Sequence, residues 1–269
     1  MRGVVSGGMA VAMEELGLTH AFDAVYGSSA GAICGAYFLS GQAALGVRIY
    51  SEDINNSRFA SRARLLLGRP VVNLDFLVND VMVRTKALDT SAVLQSSAPL
   101  AVLATDVASG EPALLTAFAN GDELRAALRA GATMPVVGGG PQVFRGRRYF
   151  DASLSEPIPL RPAEEAGFTH IVVLLTRPRG VPRAVSWFDH WIVGPKLRRE
   201  SPELARRYMN RSAPYQALQD EIETGRTRSG RARVLGIRPG IVISKLERDR
   251  SRLLAGAASG REAVLGAMG

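Results

Sequence analysis

The chain has 269 residues, of which 46% are hydrophobic, and a formal net charge of +8. This length can bury the core of one large α/β domain, and no run approaches the roughly 18 consecutive apolar residues of a membrane-spanning helix. A single cysteine, Cys34, excludes an internal disulfide, and no Cys/His cluster predicts a metal site. The start of the chain has no signal-peptide pattern, so we expect a cytoplasmic or peripheral membrane protein.

The hydrophobic pattern predicts alternating helices and strands. In chain order it indicates a helix at 4–18 that stops at Gly17, a strand at 21–26, helices at 32–39 and 43–52, a buried strand at 100–106, a return strand at 112–118, a helix at 121–129, an edge strand at 147–150, a buried strand at 169–176, a strand at 233–237 and a helix from 245. Residues 55–89 are either a flexible cap or a packed connection. The alternation predicts a parallel or mixed sheet between helices, and without an obvious linker we expect one domain over 1–269.

Residues 27–31 read Gly-Ser-Ser-Ala-Gly, which is a Gly-x-Ser-x-Gly motif centred on Ser29. The motif lies between a predicted strand and a predicted helix, as a nucleophile elbow does. We expect the tight turn to strain Ser29 and expose its hydroxyl, and Gly27 and Gly31 to let strand and helix approach closely. The pattern therefore predicts Ser29 as a nucleophile, and a chance match to a short motif is the alternative.

A serine hydroxyl is a weak nucleophile and needs a base. The three histidines are His20, His170 and His190, and none follows an acid in a recognisable triad arrangement. An acid that acts directly on the serine is the favoured alternative. Asp151 is the leading candidate because it follows a predicted strand and precedes small residues. An aspartate that only caps a loop or helix remains the structural alternative.

Arginine dominates the positive charge, and many of the cations fall late in the chain. They are Arg177, Arg179, Arg183, Lys196, Arg198, Arg199, Arg206, Arg207, Arg211, Arg226, Arg228, Arg231 and Arg233. They form either a face that attracts anionic lipid or nucleic acid, or solvated helix and loop positions. We favour the solvated interpretation and expect no nucleic-acid binding, because no nucleic-acid motif accompanies the charge.

Several motifs, taken in order, resemble those of the patatin-like phospholipases, a family of lipid acyl hydrolases. They are Arg2-Gly3 with the helix that follows, the elbow at 22–32, the strand and turn at 104–112, the small-residue run at 129–135, and the aspartate motif at 149–153 with its continuation at 156–160. The resemblance covers residues 1–176 well and 177–269 loosely.

The resemblance implies a three-layer α/β fold whose central sheet is mixed and mostly parallel. It also implies a catalytic dyad of Ser29 and Asp151, with Arg2 and Gly3 in the oxyanion hole. The implied substrate is a lipid or fatty acyl ester, hydrolysed through an acyl-enzyme without a metal or cofactor. From the basic charge we expect, in addition, peripheral contact with an anionic membrane.

Two departures from the family pattern lead to alternatives. Asp151 is followed by Ala152 where the family usually has glycine. The glycine triplet and strand that precede Arg2-Gly3 in the family are absent from this sequence, so we expect the sheet to lack its N-terminal strand. A catalytically impaired lipid-binding or interaction protein is the first alternative. The second is an unrelated α/β domain that holds phosphate at helix N-termini near Gly7-Gly8 and residues 27–31.

Overall fold

A computed structural model of the chain describes residues 1–181 and 186–269, so Arg183 and the side chains of Arg62, Leu65 and Leu66 lie outside what is described. The α-helices are α1 (Gly3–Glu15), α2 (Ala30–Leu39), α3 (Ala43–Arg48), α4 (Thr90–Gln95), α5 (Gly121–Ala132), α6 (Leu160–Glu165), α7 (Gly194–Glu200), α8 (Pro202–Met209), α9 (Ser212–Thr224) and α10 (Arg250–Met268). The strands are β1 (Val25–Ser28), β2 (Leu100–Asp106), β3 (Pro112–Leu115), β4 (Gln142–Phe144), β5 (Arg147–Asp151), β6 (His170–Leu174) and β7 (Arg233–Ile237). Segments of 3-10 or π-helix lie at Leu18–His20, Ile49–Asp53, Arg62–Leu67, Phe76–Thr85, Ala152–Leu154 and Asp189–Val193.

Strand β2 is the centre of the main sheet. Val102 pairs with Gly27 of β1 on one side and with β3 on the other. Ala104 pairs with Asp151 of β5 on one side and again with β3 on the other. Because β3 occupies one side of β2 at both positions, β1 and β5 share the opposite side, end to end. Strand β1 is parallel to β2 and β5 is antiparallel to it, so the carboxyl ends of β1 and β5 meet there.

The expected α/β fold with a mixed sheet is confirmed. The strands do not pair mostly in parallel as we expected, because antiparallel pairs outnumber parallel ones. Strands β1 and β2 are parallel, as are β6 and β7 in a second, two-stranded sheet, whereas β2–β3, β2–β5 and β4–β5 are antiparallel. Short turns, such as Arg145-Gly146 between β4 and β5, force antiparallel pairing. Strand β5 is therefore not the predicted edge strand, because β4 covers it.

Glycines allow α10 to pack closely along α1. A Cβ atom on Gly8 would overlap the carbonyl oxygen of Ala257, and one on Gly260 would overlap the carbonyl oxygen of Val5. Gly7 likewise has no room for a side chain against α3. Both Gly7 and Gly8 lie inside a packed helix, so the alternative of a phosphate site at their backbone is wrong.

Local predictions agree best with the structure where the sequence signal is strong. Strands β2 and β7 have the predicted bounds, and Gly17 takes a positive φ of 72° just beyond α1, as a helix stop does. Residues 55–89 are a packed connection, since Val78, Val81 and Met82 are buried. Strand β6 is less buried than predicted, because within the described chain it pairs only with β7. None of the described helices is long and apolar enough to cross a membrane.

Candidate active site

Ser29 lies in the turn between β1 and α2 with a strained backbone. Its φ of 53° and ψ of −126° are rare for a residue with a side chain. Its carbonyl oxygen accepts a hydrogen bond of 3.0 Å from the amide of Ala32, but its side chain does not cap the helix. The helix therefore begins without using the Ser29 hydroxyl.

The two glycines of the motif have different surroundings. A Cβ atom on Gly27 would overlap Cα of Ala32, so glycine is required where β1 meets α2. A Cβ atom on Gly31 would have no atom within 4 Å. The expected close approach is thus confirmed at Gly27, whereas Gly31 faces open space and does not serve that purpose.

Gly3, the first residue of α1, packs against the start of α2. A Cβ atom on Gly3 would lie 2.6 Å from Cβ of Ala30, the residue after Ser29. The Sγ atom of Cys34 donates to the carbonyl oxygen of Gly3 at 3.5 Å. Burial raises the pKa of the Cys34 thiol to about 11, which confirms a packed rather than a reactive cysteine. No described residue accepts a hydrogen bond from the Gly3 amide.

Arg2 precedes Gly3 and directs its side chain away toward the C-terminal part of the chain. Its Nε atom donates to the carbonyl oxygen of Ile243 at 3.2 Å. Any role of Arg2 near the elbow therefore falls to its backbone.

Asp151 ends β5 and is almost completely buried. Its amide donates to the carbonyl oxygen of Thr133 at 2.9 Å, and its Oδ1 accepts from the amide of Ser153 at 2.7 Å. Its carbonyl oxygen accepts from Oγ1 of Thr105 at 3.0 Å, and that hydroxyl also bonds to Oγ of Ser155 at 2.8 Å. The Oδ2 atom is buried and accepts no hydrogen bond from the described residues. A buried oxygen of this kind requires an explanation, because it costs about 1–3 kcal/mol.

The sheet brings Ser29 and Asp151 to neighbouring positions along β2. Ser28 pairs with Leu103, and Asp151 pairs with Ala104, the next residue. Ser29 follows directly after Ser28. The two strands therefore bring the strained serine and the buried carboxylate next to adjacent residues of β2, although the two are far apart in the sequence.

A family model described as patatin-like phospholipase matches residues 1–164. The chain belongs to the patatin-like phospholipase family. The match contains Ser29 and Asp151 and ends before β6. Membership supports lipid acyl hydrolysis in general. A comparison with curated proteins finds no match.

The three histidines of this patatin-like chain lie at its surface. His20, His170 and His190 are all exposed, although the sequence predicts a buried strand at 169–176 that contains His170. His170 bonds to the side chain of Thr169, and His190 packs edge-on against Trp191 with 5.4 Å between ring centroids. No hydrogen bond described in the structure joins a histidine to Ser29 or Asp151.

A cavity of about 240 Å³ lies between the connection at 55–89 and the loop that precedes β4. Its lining includes Arg64, Asp75, Arg129 and Gly139, and an ion pair of 2.8 Å joins Arg129 to Asp75. Neither Ser29 nor Asp151 lines this cavity. The described residues also contain no group of three His, Cys, Asp or Glu side chains that could hold a metal ion.

Sequence reasoning did not identify the groups that hold Asp151. Thr105 is part of the predicted strand at 100–106 and of the motif at 104–112, but no pattern in the sequence singles out Thr105 or Ser155. Their contacts with Asp151 arise only in the tertiary structure, because Thr105 lies on β2 beside β5 and Ser155 lies in the turn after Asp151. The polar pair Thr105-Asp106 at the end of an otherwise apolar strand is the only signal that could have indicated them.

Proposed function

We propose that this chain hydrolyses carboxylic esters of lipids, with Ser29 as the nucleophile and Asp151 as the general base. The observation that supports the proposal most is the meeting of β1 and β5, end to end, on one side of β2. The strained backbone of Ser29 and the unpartnered Oδ2 of Asp151 cost the folded state about 1–3 kcal/mol each. A catalytic role explains why both are kept.

In the acylation step, Oγ of Ser29 attacks the ester carbonyl carbon while its proton passes to the Asp151 carboxylate. A tetrahedral intermediate forms with negative charge on the former carbonyl oxygen. The bond to the leaving alcohol then breaks, and the alcohol takes the proton from Asp151. The acyl group remains as an ester on Ser29.

In the deacylation step, water attacks the acyl-enzyme and gives its proton to Asp151. The second tetrahedral intermediate collapses to a fatty acid, and the proton returns to Oγ of Ser29. The carboxylate thus serves as base and acid in turn, and each half-reaction leaves the dyad as it began.

Backbone amides near the elbow are the proposed oxyanion donors. The amide of Gly3 has no acceptor among the described residues, and Gly3 packs against Ala30. The amide of Ala30 stands at the N-terminus of α2, where helix amides have no internal acceptor and the dipole favours negative charge. Arg2 would contribute through its backbone.

Two further parts of the proposal concern the whole chain. We expect residues 1–269 to act as one domain, since the main core contains Val4, Leu253 and Val264 together. We also expect peripheral contact with an anionic membrane, because the substrate is a lipid and the net charge is +8.

A fluorophosphonate probe, followed by mass spectrometry, tests the nucleophile. We expect an adduct on Ser29 that disappears in Ser29→Ala and persists in the matched control Ser28→Ala, together with turnover of a short-chain soluble ester. An adduct on another serine would overturn the assignment. A folded protein with neither adduct nor turnover would favour the impaired lipid-binding alternative.

A further inference from the structure

Residues 186–200, called here the tryptophan segment, expose four large apolar side chains in close succession. Trp187 is 71% exposed, Phe188 43%, Trp191 61% and Ile192 40%. Both tryptophans of the chain lie in this segment. Clustered exposed aromatic side chains mark binding surfaces in folded proteins, since a chain gains nothing from leaving them in water.

A buried ionic anchor holds the tryptophan segment in this position. Asp189 accepts hydrogen bonds from Oη of Tyr208, from Arg211 at 2.7 Å and from Oγ of Ser186 at 2.8 Å. Burial on its own raises the pKa of Asp189, but the hydrogen bonds from Tyr208 and Ser186 and the charge of Arg211 outweigh it and lower the pKa to about 2. The anchor fixes the backbone between Phe188 and His190, so the aromatic side chains are presented outward.

The inner face of the same segment packs against the strand that ends in Asp151. Val193 and Leu197 share a small hydrophobic cluster with Phe150 and Leu154. Phe150 directly precedes Asp151, and Leu154 follows three residues after it. The exposed aromatic side chains and the proposed base thus both belong to segments that pack into one hydrophobic cluster.

Cations follow the aromatic side chains along the segment. Lys196, Arg198 and Arg199 are exposed on α7, and no ion pair joins them to any described residue. Arg206 and Arg207 on the next helix differ, because both pair with Glu203. The positive charge beside the tryptophans is therefore not neutralised by the described part of the chain.

We propose that the tryptophan segment is the surface by which this protein docks on an anionic lipid bilayer. Indole rings favour the boundary between head groups and acyl chains, and nearby cations are attracted to anionic head groups. The inference rests on the proposed function, since a lipid substrate brings the enzyme to such a surface. A bilayer fits this surface because exposed aromatic side chains and cations without an ion pair to the described residues lie in one segment, which packs against Phe150, the residue before Asp151.

Vesicle binding by the full chain tests the proposal. Because both tryptophans lie in the segment, their emission reports on this surface alone. We expect a blue shift when Ser29→Ala protein is mixed with phosphatidylcholine vesicles that contain about 30% phosphatidylglycerol, and a much smaller shift with pure phosphatidylcholine. In co-sedimentation, the double variant Trp187→Ala/Trp191→Ala should bind at least about tenfold more weakly.

Charge reversal at Lys196, Arg198 and Arg199 should weaken binding about fivefold per cation and reduce its dependence on salt. Two matched controls lie elsewhere: Leu246→Ala removes a side chain that is 61% exposed, and Arg250→Glu reverses an exposed cation on α10. Both should bind vesicles like the unmodified protein. Thermal unfolding checks that every variant folds.

Unchanged emission with anionic vesicles, or equal binding by the double tryptophan variant, would overturn the proposal. A blue shift of the tryptophan emission that grows with protein concentration in the absence of vesicles would overturn it, because a second copy of the chain would then cover this surface. Turnover of a soluble ester separates this inference from the proposed function. Turnover without vesicle binding would contradict only the proposed docking surface. Vesicle binding without turnover would contradict only the proposed hydrolase activity.

Discussion

The strand ends at Ser29 and Asp151 meet on the same side of β2, but they are held by different interactions. On the β1 side, backbone contact sets the position: Gly27 has no room for a side chain against Ala32, and Ser29 takes a positive φ. On the β5 side, hydrogen bonds to the backbone and to Oδ1 of Asp151 set the position. A nucleophile needs one exposed atom in one place, which a rigid turn supplies. A base needs a carboxylate that is held in place but keeps one oxygen free to accept a proton. The hydrogen bonds around Asp151 do this, because they leave Oδ2 without a partner.

The largest effect should come from removing the charge on the β5 side. Asp151→Asn keeps the shape but cannot accept the serine proton, so we expect turnover of a soluble ester to fall about 10³-fold, or about 4 kcal/mol of transition-state stabilisation. Alanine variants of His20, His170 and His190 should keep full turnover. Asp106→Asn is the matched control, because Asp106 is a second buried acid of the sheet that binds the amides of its own turn. Loss of all turnover in a folded histidine variant would contradict the dyad.

On the β1 side, the backbone contact is tested by comparing the two glycines of the motif. Gly27→Ala forces the backbone of α2 to move, so we expect a loss of about 3 kcal/mol in the free energy of unfolding. The added methyl group of Gly31→Ala meets open space, so its free energy of unfolding should lie within about 0.5 kcal/mol of that of the unmodified protein. Chemical denaturation with both variants measures this difference. Equal stability would show that the elbow relaxes and that the contact between β1 and α2 does not set the turn.

The β5 side also contains a group whose titration should change stability with pH. Burial raises the pKa of Glu156 to about 7, a smaller contribution from Arg161 lowers it, and the charges of Glu165 and Glu221 raise it slightly further. The folded state therefore holds the Glu156 proton more tightly than the unfolded state, and stability falls as pH rises from about 4.5 to about 7. Glu156→Gln should raise the free energy of unfolding by on the order of 2 kcal/mol above pH 7 and leave it unchanged near pH 4. An equal effect at both pH values would exclude a titration of Glu156.

The smallest effect should come from loosening Asp151 without touching its carboxylate. Thr105→Val removes the hydroxyl that binds the Asp151 carbonyl and Ser155, so we expect a loss of about 1–2 kcal/mol in stability and a kcat up to about tenfold lower at unchanged KM. Thr133→Val is the matched control. Its hydroxyl binds the carbonyl of Arg129, and its own carbonyl still accepts from the Asp151 amide. A similar fall in kcat for Thr133→Val would show that Thr105 has no special part in positioning Asp151.

The sequence by itself determined the features that depend on neighbouring residues. The order of motifs indicated the patatin-like family, and the apolar run at 100–106 predicted β2 with its observed bounds. Gly17 predicted the end of α1, and the motif at 27–31 predicted a strand, a tight turn and a helix. Each of these follows from local sterics and short-range periodicity, which the order of residues records directly.

Only the tertiary structure decided which strands pair and what their ends bring together. Hydrogen bonding between strands depends on backbone groups that every residue carries, so the sequence of β5 does not state that it shares one side of β2 with β1. The same reason explains why β5 was predicted as an edge strand, and why the bonds from Thr105 and Ser153 to Asp151 were not foreseen. The aromatic side chains of the tryptophan segment are exposed in the structure because Val193 and Leu197 of the same segment fill the cluster around Phe150, and packing across the chain decides which side of the segment is buried.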